Sequence, residues 1–137
     1  MEETSRDKCA IVLKNFSGVP VIEVIGTVNE INLRMIERMI LALETAGHYN
    51  IIVNVRRVVE GNLELLRSLA KCVGRIRNHY GNIDLVAEAV QIKEMANDGL
   101  ARLFRLCTSE SQALARIKRL LRGPEETAVT SARIMEP

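Results

Sequence analysis

The chain has 137 residues, 47% hydrophobic and 26% charged, which suits one domain with its own core and excludes both disorder-like and membrane-like composition. Nineteen Lys and Arg stand against seventeen Asp and Glu, a net charge of +2 that is too balanced to argue for nucleic-acid binding. The only aromatics are Phe16, Tyr49, Tyr80 and Phe104, which excludes a stacking platform for single strands.

In chain order, Met1 to Lys8 is polar and charged, an N-terminal arm rather than a signal peptide. Cys9 to Leu13 and Val19 to Val28 read as two strands, and Asn15-Phe16-Ser17-Gly18 between them as a hairpin turn. Val21 to Ile25 is β-branched and almost continuously apolar, as a strand covered on both faces should be. The period then changes. Leu33, Ile36, Ile40 and Leu43 recur at helical spacing, with Asn29 or Asn32 as the N-cap and Gly47 as the stop. Ile51 to Val55 is a short buried strand.

The longest helix runs from about Asn62 to His79. Leu63, Leu66, Ala70 and Val73 form one stripe on it, and Leu65, Leu69, Cys72 and Ile76 an adjacent one. Together they cover roughly half of the circumference, more than the usual apolar face. Either the helix is clamped between the sheet and a neighbour, or one stripe serves a partner. Glu64, Arg67, Ser68, Lys71 and Arg75 take the polar half. Gly81-Asn82 closes the helix and Ile83 to Ala87 is a fourth core strand. A short helix around Val90 to Ala96, the turn Asn97-Asp98-Gly99 and a brief edge strand at Leu103 to Leu106 come next. Thr108 or Ser109 caps a last helix that ends at Gly123-Pro124.

The order β-β-α-β-α-β-α-β-α demands parallel strands with right-handed crossovers after an opening antiparallel hairpin. The expected class is α/β, a mixed, mostly parallel sheet of four to five strands with helices packed on it. Residues 9–122 form the domain, 1–8 an arm and 123–137 a polar tail.

The search for chemistry is mostly negative. Neither G-x-G-x-x-G nor the phosphate-binding G-x-x-x-x-G-K-[ST] occurs, and there is no G-x-S-x-G elbow. His48 and His79 sit at helix ends beside tyrosines, without a partner at catalytic or ligating spacing. Cys9, Cys72 and Cys107 are too scattered for a zinc site or a disulfide framework and read as reduced thiols. The cations Arg116, Lys118, Arg119 and Arg122 complement the dipole of the last helix on a solvated face. No catalytic residue, metal or cofactor is expected, nor any membrane insertion, because no apolar run nears the roughly 18 residues of a span.

Four segments in order carry a resemblance. They are the opening hairpin, Gly26-Thr27-Val28-Asn29 before the first helix, the strand Ile51 to Val55 leading to the long helix, and Gly99-Leu100-Ala101-Arg102-Leu103-Phe104 with the stretch to Ala115. Over Cys9 to Leu121 the chain resembles the STAS domains of anti-sigma factor antagonists. The family's Asp-Ser-Ser-Gly-Leu motif starts its second long helix, and a partner kinase phosphorylates the second serine to abolish binding. Here the corresponding stretch is Val59-Glu60-Gly61-Asn62-Leu63, so the acceptor falls on Gly61 and is lost. No Ser or Thr occurs from Val55 to Arg67. The family's acidic rim falls on Asn29 and Asn54. Glu60 serves either as a permanent charge in place of phosphate or as an ordinary first-turn acid. Ser68 is the one substitute acceptor.

The resemblance implies a non-catalytic, cytoplasmic interaction module of bacterial signalling. Its partner is an anti-sigma factor, a switch kinase or another STAS protein, as in a stressosome-like homo-oligomer, without nucleic acid. The alternative is an accessory STAS subunit docking on an ABC transporter ATPase. The expected binding residues are Asn29, Val59, Glu60, Gly61, Asn62, Leu63 and Leu66. Val59 is expected either to contact the partner or to staple the helix start onto Leu65 or Leu66. An acid replacing Gly61 is expected to suit the helix N-terminus and leave the fold intact.

Overall fold

The computed structural model describes residues 8–97 and 99–121. Strands β1 (Cys9–Phe16) and β2 (Val19–Thr27) form the antiparallel hairpin. Its turn is narrower than the sequence suggested, and β1 runs three residues past Leu13. Ser17 and Gly18 alone make the bend, both at positive φ (52° and 89°), the mirror-image geometry that matches strand twist. The Asn15 side chain accepts the Gly18 amide at 2.7 Å and closes it.

Helix α1 (Glu30–Thr45) follows, then β3 (Asn50–Glu60), α2 (Asn62–Arg77), β4 (Asn82–Val86), α3 (Ala89–Met95), a 3-10 turn (Gly99–Leu103) and β5 (Arg105–Cys107). Helix α4 covers residues 110–121. The sheet order is β1-β2-β3-β4-β5, parallel from β2 onward. This is the expected α/β architecture, with five strands. The expected arm and tail, Lys8 apart, lie outside the described residues, as do Asp98 of the Asn97–Gly99 turn and Arg122.

Side-chain alternation divides the core. Ile22, Val24, Ile51, Val53, Ile83 and Leu85 face α1, α2, α3 and the 3-10 turn. Val19, Val21, Ile52, Val86 and Cys107 face α4, which brings Ala113 and Ile117. Burial on both faces explains the continuous apolar runs of the central strands. The wide apolar face of α2 is used within the chain: Leu65, Leu69, Cys72 and Ile76 are buried against the sheet and α1. Clamping, rather than a second copy, accounts for that stripe.

Two expectations need correction. β3 does not stop at Val55 but continues to Glu60. A register shift against β2 between Glu23 and Ile25 turns Arg56 and Arg57 outward and returns Val58 to the core opposite Gly26, and a second shift follows before Thr27. The arginine pair therefore marks a bulge, not a strand end. Leu103 is likewise the end of the 3-10 turn rather than the start of the edge strand, because Ala101 and Phe104, three apart, both bury on the same side.

Of the cations on α4, Lys118 donates to the Ser17 carbonyl at 2.6 Å and Arg116 to the Leu106 carbonyl at 3.4 Å. They tie the helix to the sheet rather than forming a purely solvated face. Ser109 is the cap, its hydroxyl accepting the Gln112 amide at 3.1 Å. The His79 ring stacks on Tyr49 with centroids 4.2 Å apart, a packing role. Among the described residues no group of His, Cys, Asp and Glu is placed to hold a metal. No described helix is long and apolar enough to cross a membrane.

Candidate protein-docking site

At one end of the parallel strands, the β2–α1 and β3–α2 connections lie against each other. The Val28 amide donates to the Glu60 carbonyl at 3.0 Å, and Thr27 pairs with Glu60. Asn29, expected at the binding rim, is the N-cap of α1. Its side chain accepts the Asn32 amide and its own amide donates to the Asn32 side chain, both at 3.0 Å. This capping box occupies the amide oxygen but leaves the residue exposed beside the loop.

Gly61 caps α2 in the left-handed conformation, at φ 95°, with no side-chain cap for the first amides of the helix. A Cβ built there lies 2.8 Å from the Val28 carbonyl oxygen and 3.0 Å from the Val28 Cβ. The expectation that an acid at position 61 leaves the fold intact is therefore wrong. The loop is too tight for any side chain, and φ opposes one as well. Gly61→Ala is expected to lower unfolding stability by about 2 kcal/mol, combining left-handed strain with the crowding. Urea denaturation measures it, and a loss below about 0.5 kcal/mol removes the steric argument.

Around Gly61 the side chains diverge. Val59 is 64% exposed and Leu63 37% exposed. Val59 therefore makes no staple onto Leu65 or Leu66, which are buried in the core; strand alternation points it away from the helix. Leu66, expected as a contact residue, is only 2% exposed and forms a floor rather than a surface. Glu60 is exposed at the end of β3.

Asn62, Leu63 and Leu66 come together on one side of a groove of about 340 Å³, whose other wall is α3 with Gln91, Glu94 and Met95. Gln91 holds that wall in place. Its amide nitrogen donates to the Val55 carbonyl at 2.9 Å, and its oxygen accepts the Glu88 amide at 2.7 Å. Asn62 Oδ1 is buried and has no hydrogen-bond partner among the described residues. The groove thus offers a mostly apolar trough between α2 and α3. The α3 wall was missed from sequence; the usable signal was Gln91 and Met95 one turn apart, both turned inward.

Ser68 is not part of this site. It was expected on the polar face of α2, yet it is 4% exposed and its hydroxyl donates to Glu37 of α1 at 2.7 Å. The α1–α2 packing closes over it, which removes the access a kinase needs. Asn54, the other neutral rim position, is also inside. Its amide donates to Glu110 at 2.7 Å, and Lys14 joins the same carboxylate at 3.0 Å. Burial raises the Glu110 pKa, but the Asn54 and Lys14 hydrogen bonds outweigh it and hold the carboxyl below its ordinary value.

No family model matches the chain, and no curated protein matches its sequence. Solved structures do match in shape. An anti-sigma factor antagonist from Mycobacterium paratuberculosis aligns with a TM-score of 0.69 at 20% identity, over 82% of this chain and 96% of that one. The anti-sigma factor antagonist SpoIIAA in its unphosphorylated form aligns at 0.65 and 16% identity, over 80% and 98% of the two chains. The Bacillus cell fate determinant SpoIIAA in its phosphorylated form aligns at 0.58 and 18% identity, over 79% and 99%. The chain has the fold of these antagonists, the STAS fold.

Proposed function

We propose that this protein is a non-catalytic regulatory module that binds a protein partner through the Asn29 loop and the Val59–Leu66 face, without a serine switch. The partner class is the one the family resemblance implies: an anti-sigma factor, a switch kinase or another STAS protein, in the cytoplasm. One observation carries the reading. Where a phosphorylatable serine is implied by the resemblance, Gly61 sits in a conformation and a space that admit no side chain. The loop nevertheless presents Val59 and Leu63 to solvent beside a preformed groove. Exposed aliphatic residues at a rigid, uncapped helix start are a docking surface of fixed affinity rather than a switched one.

The experiment is affinity capture from the native host with mass spectrometry, followed by calorimetry with the captured partner. Val59→Asp and Leu63→Asp, both at exposed positions, are expected to fold normally and to weaken binding at least about tenfold, or about 1.4 kcal/mol. Unchanged affinity in both variants moves the interface elsewhere. Recovery of a transporter ATPase as the partner replaces the signalling assignment with the transport one.

A further inference from the structure

A different face of the molecule carries a second surface. Helices α1 and α2 lie side by side on the sheet, and a recess of about 250 Å³ runs between them, lined by Arg34, Arg38 and Leu41 from α1 and by Lys71 and Arg75 from α2. Arg34 and Arg38 are one turn apart, as are Lys71 and Arg75, so cations from both helices line the groove. The one carboxylate in its lining is Glu37, and Glu44 lies beside it on α1. Glu44 holds Arg75 at 2.8 Å, and Glu37 accepts the Ser68 hydroxyl. Among the described residues no carboxylate pairs with Arg34, Arg38 or Lys71. In a chain of net charge +2, this is a local concentration of positive charge.

The cations are interleaved with apolar surface. On the outer side of α1, Ile31, Met35 and Leu41 are 69%, 49% and 51% exposed. On a helical wheel they fall in one stripe with Arg34 and Arg38. Arg34, Arg38 and Lys71, like charges that no carboxylate among the described residues pairs, repel one another, and aliphatic side chains beside them in water add to that cost. A ligand with carboxylates flanking an apolar stripe relieves both terms at once.

We infer that the α1–α2 groove is a docking surface for an acidic amphipathic helix of a partner protein, independent of the Gly61 face. The ligand helix lies along the outer face of α1 at the rim of the recess, its apolar stripe on Met35 and Leu41 and its acids toward Arg34, Arg38 and Lys71. The carboxylates Glu37 and Glu44, set among these cations, oppose a uniformly anionic membrane surface. Nucleic acid finds no aromatic residue among the groove's lining.

The test uses the full chain and a fluorescein-labelled helical peptide of about 20 residues, with leucines on one stripe and glutamates on both flanks. Anisotropy titration at low salt is expected to show saturable binding that weakens steeply as salt rises. The double variant Arg34→Glu, Lys71→Glu is expected to lose at least about tenfold in affinity and to bind instead the mirror peptide with lysines in place of glutamates. Both positions are exposed, and circular dichroism verifies the fold. Arg34→Gln, Lys71→Gln is expected to lose affinity for the acidic peptide without gaining the basic one. Absence of binding at low salt, or equal binding by the charge-reversed protein, overturns the inference. So does binding to anionic vesicles or to an oligonucleotide when the peptide is not bound.

Discussion

Leu69→Asp is expected to leave the protein unfolded at 25 °C. Leu69 is fully buried at the centre of the α1–α2–sheet core, with Leu65 and Ile76 on the same stripe. An aspartate there either buries a carboxylate without a partner or stays protonated at a strongly raised pKa, and it gives up the leucine's packing besides. Each route costs several kcal/mol, against a total stability of about 5–15 kcal/mol for a domain of this kind. Circular dichroism and urea titration check it. A cooperative transition within about 1 kcal/mol of the parent protein shows that this stripe is not the core. Because Leu69 contacts the chain's own sheet, the loss appears at any protein concentration. A concentration-dependent loss would instead point to association.

The second large effect is expected from Asp84→Ala. Asp84 is completely buried on β4, and Arg105, its register partner on β5, donates to its Oδ1 through Nε at 2.8 Å, with Nη2 in ion-pair contact with the same oxygen at 2.7 Å. The guanidinium also donates to Asn50 on β3 at 3.1 Å, so one arginine links three strands. Removing the carboxylate strands that cation in the sheet and is expected to cost about 3–5 kcal/mol. Replacing both partners, Asp84→Leu with Arg105→Leu, is expected to recover much of the loss, since neither charge is then buried. Urea denaturation of the two variants measures the difference. A single variant within about 1 kcal/mol of the parent shows that solvent already reaches the pair.

The sequence by itself determined the element order, the opening hairpin, an asparagine cap at Asn29 or Asn32 and the two-sided burial of the central strands. It also determined the absence of any hydroxyl from Val55 to Arg67. These are local properties. Periodicity, turn chemistry and composition report what each segment needs from its surroundings. What those surroundings are was decided only in three dimensions. Val58 looked like a residue outside the sheet until the first β3 bulge returned it opposite Gly26. Ser68 looked solvated because its wheel position is polar; Glu37, 31 residues away in sequence, supplies the partner that lets it bury. Gly61 read as a lost serine. Only the approach of the Val28 carbonyl from another loop shows that no side chain fits there at all. The groove between Leu63 and Met95, the Asp84–Arg105 pair and the Arg34–Lys71 recess each join separate elements of the chain. Such pairings arise when helices and strands pack, and no window of sequence contains both partners.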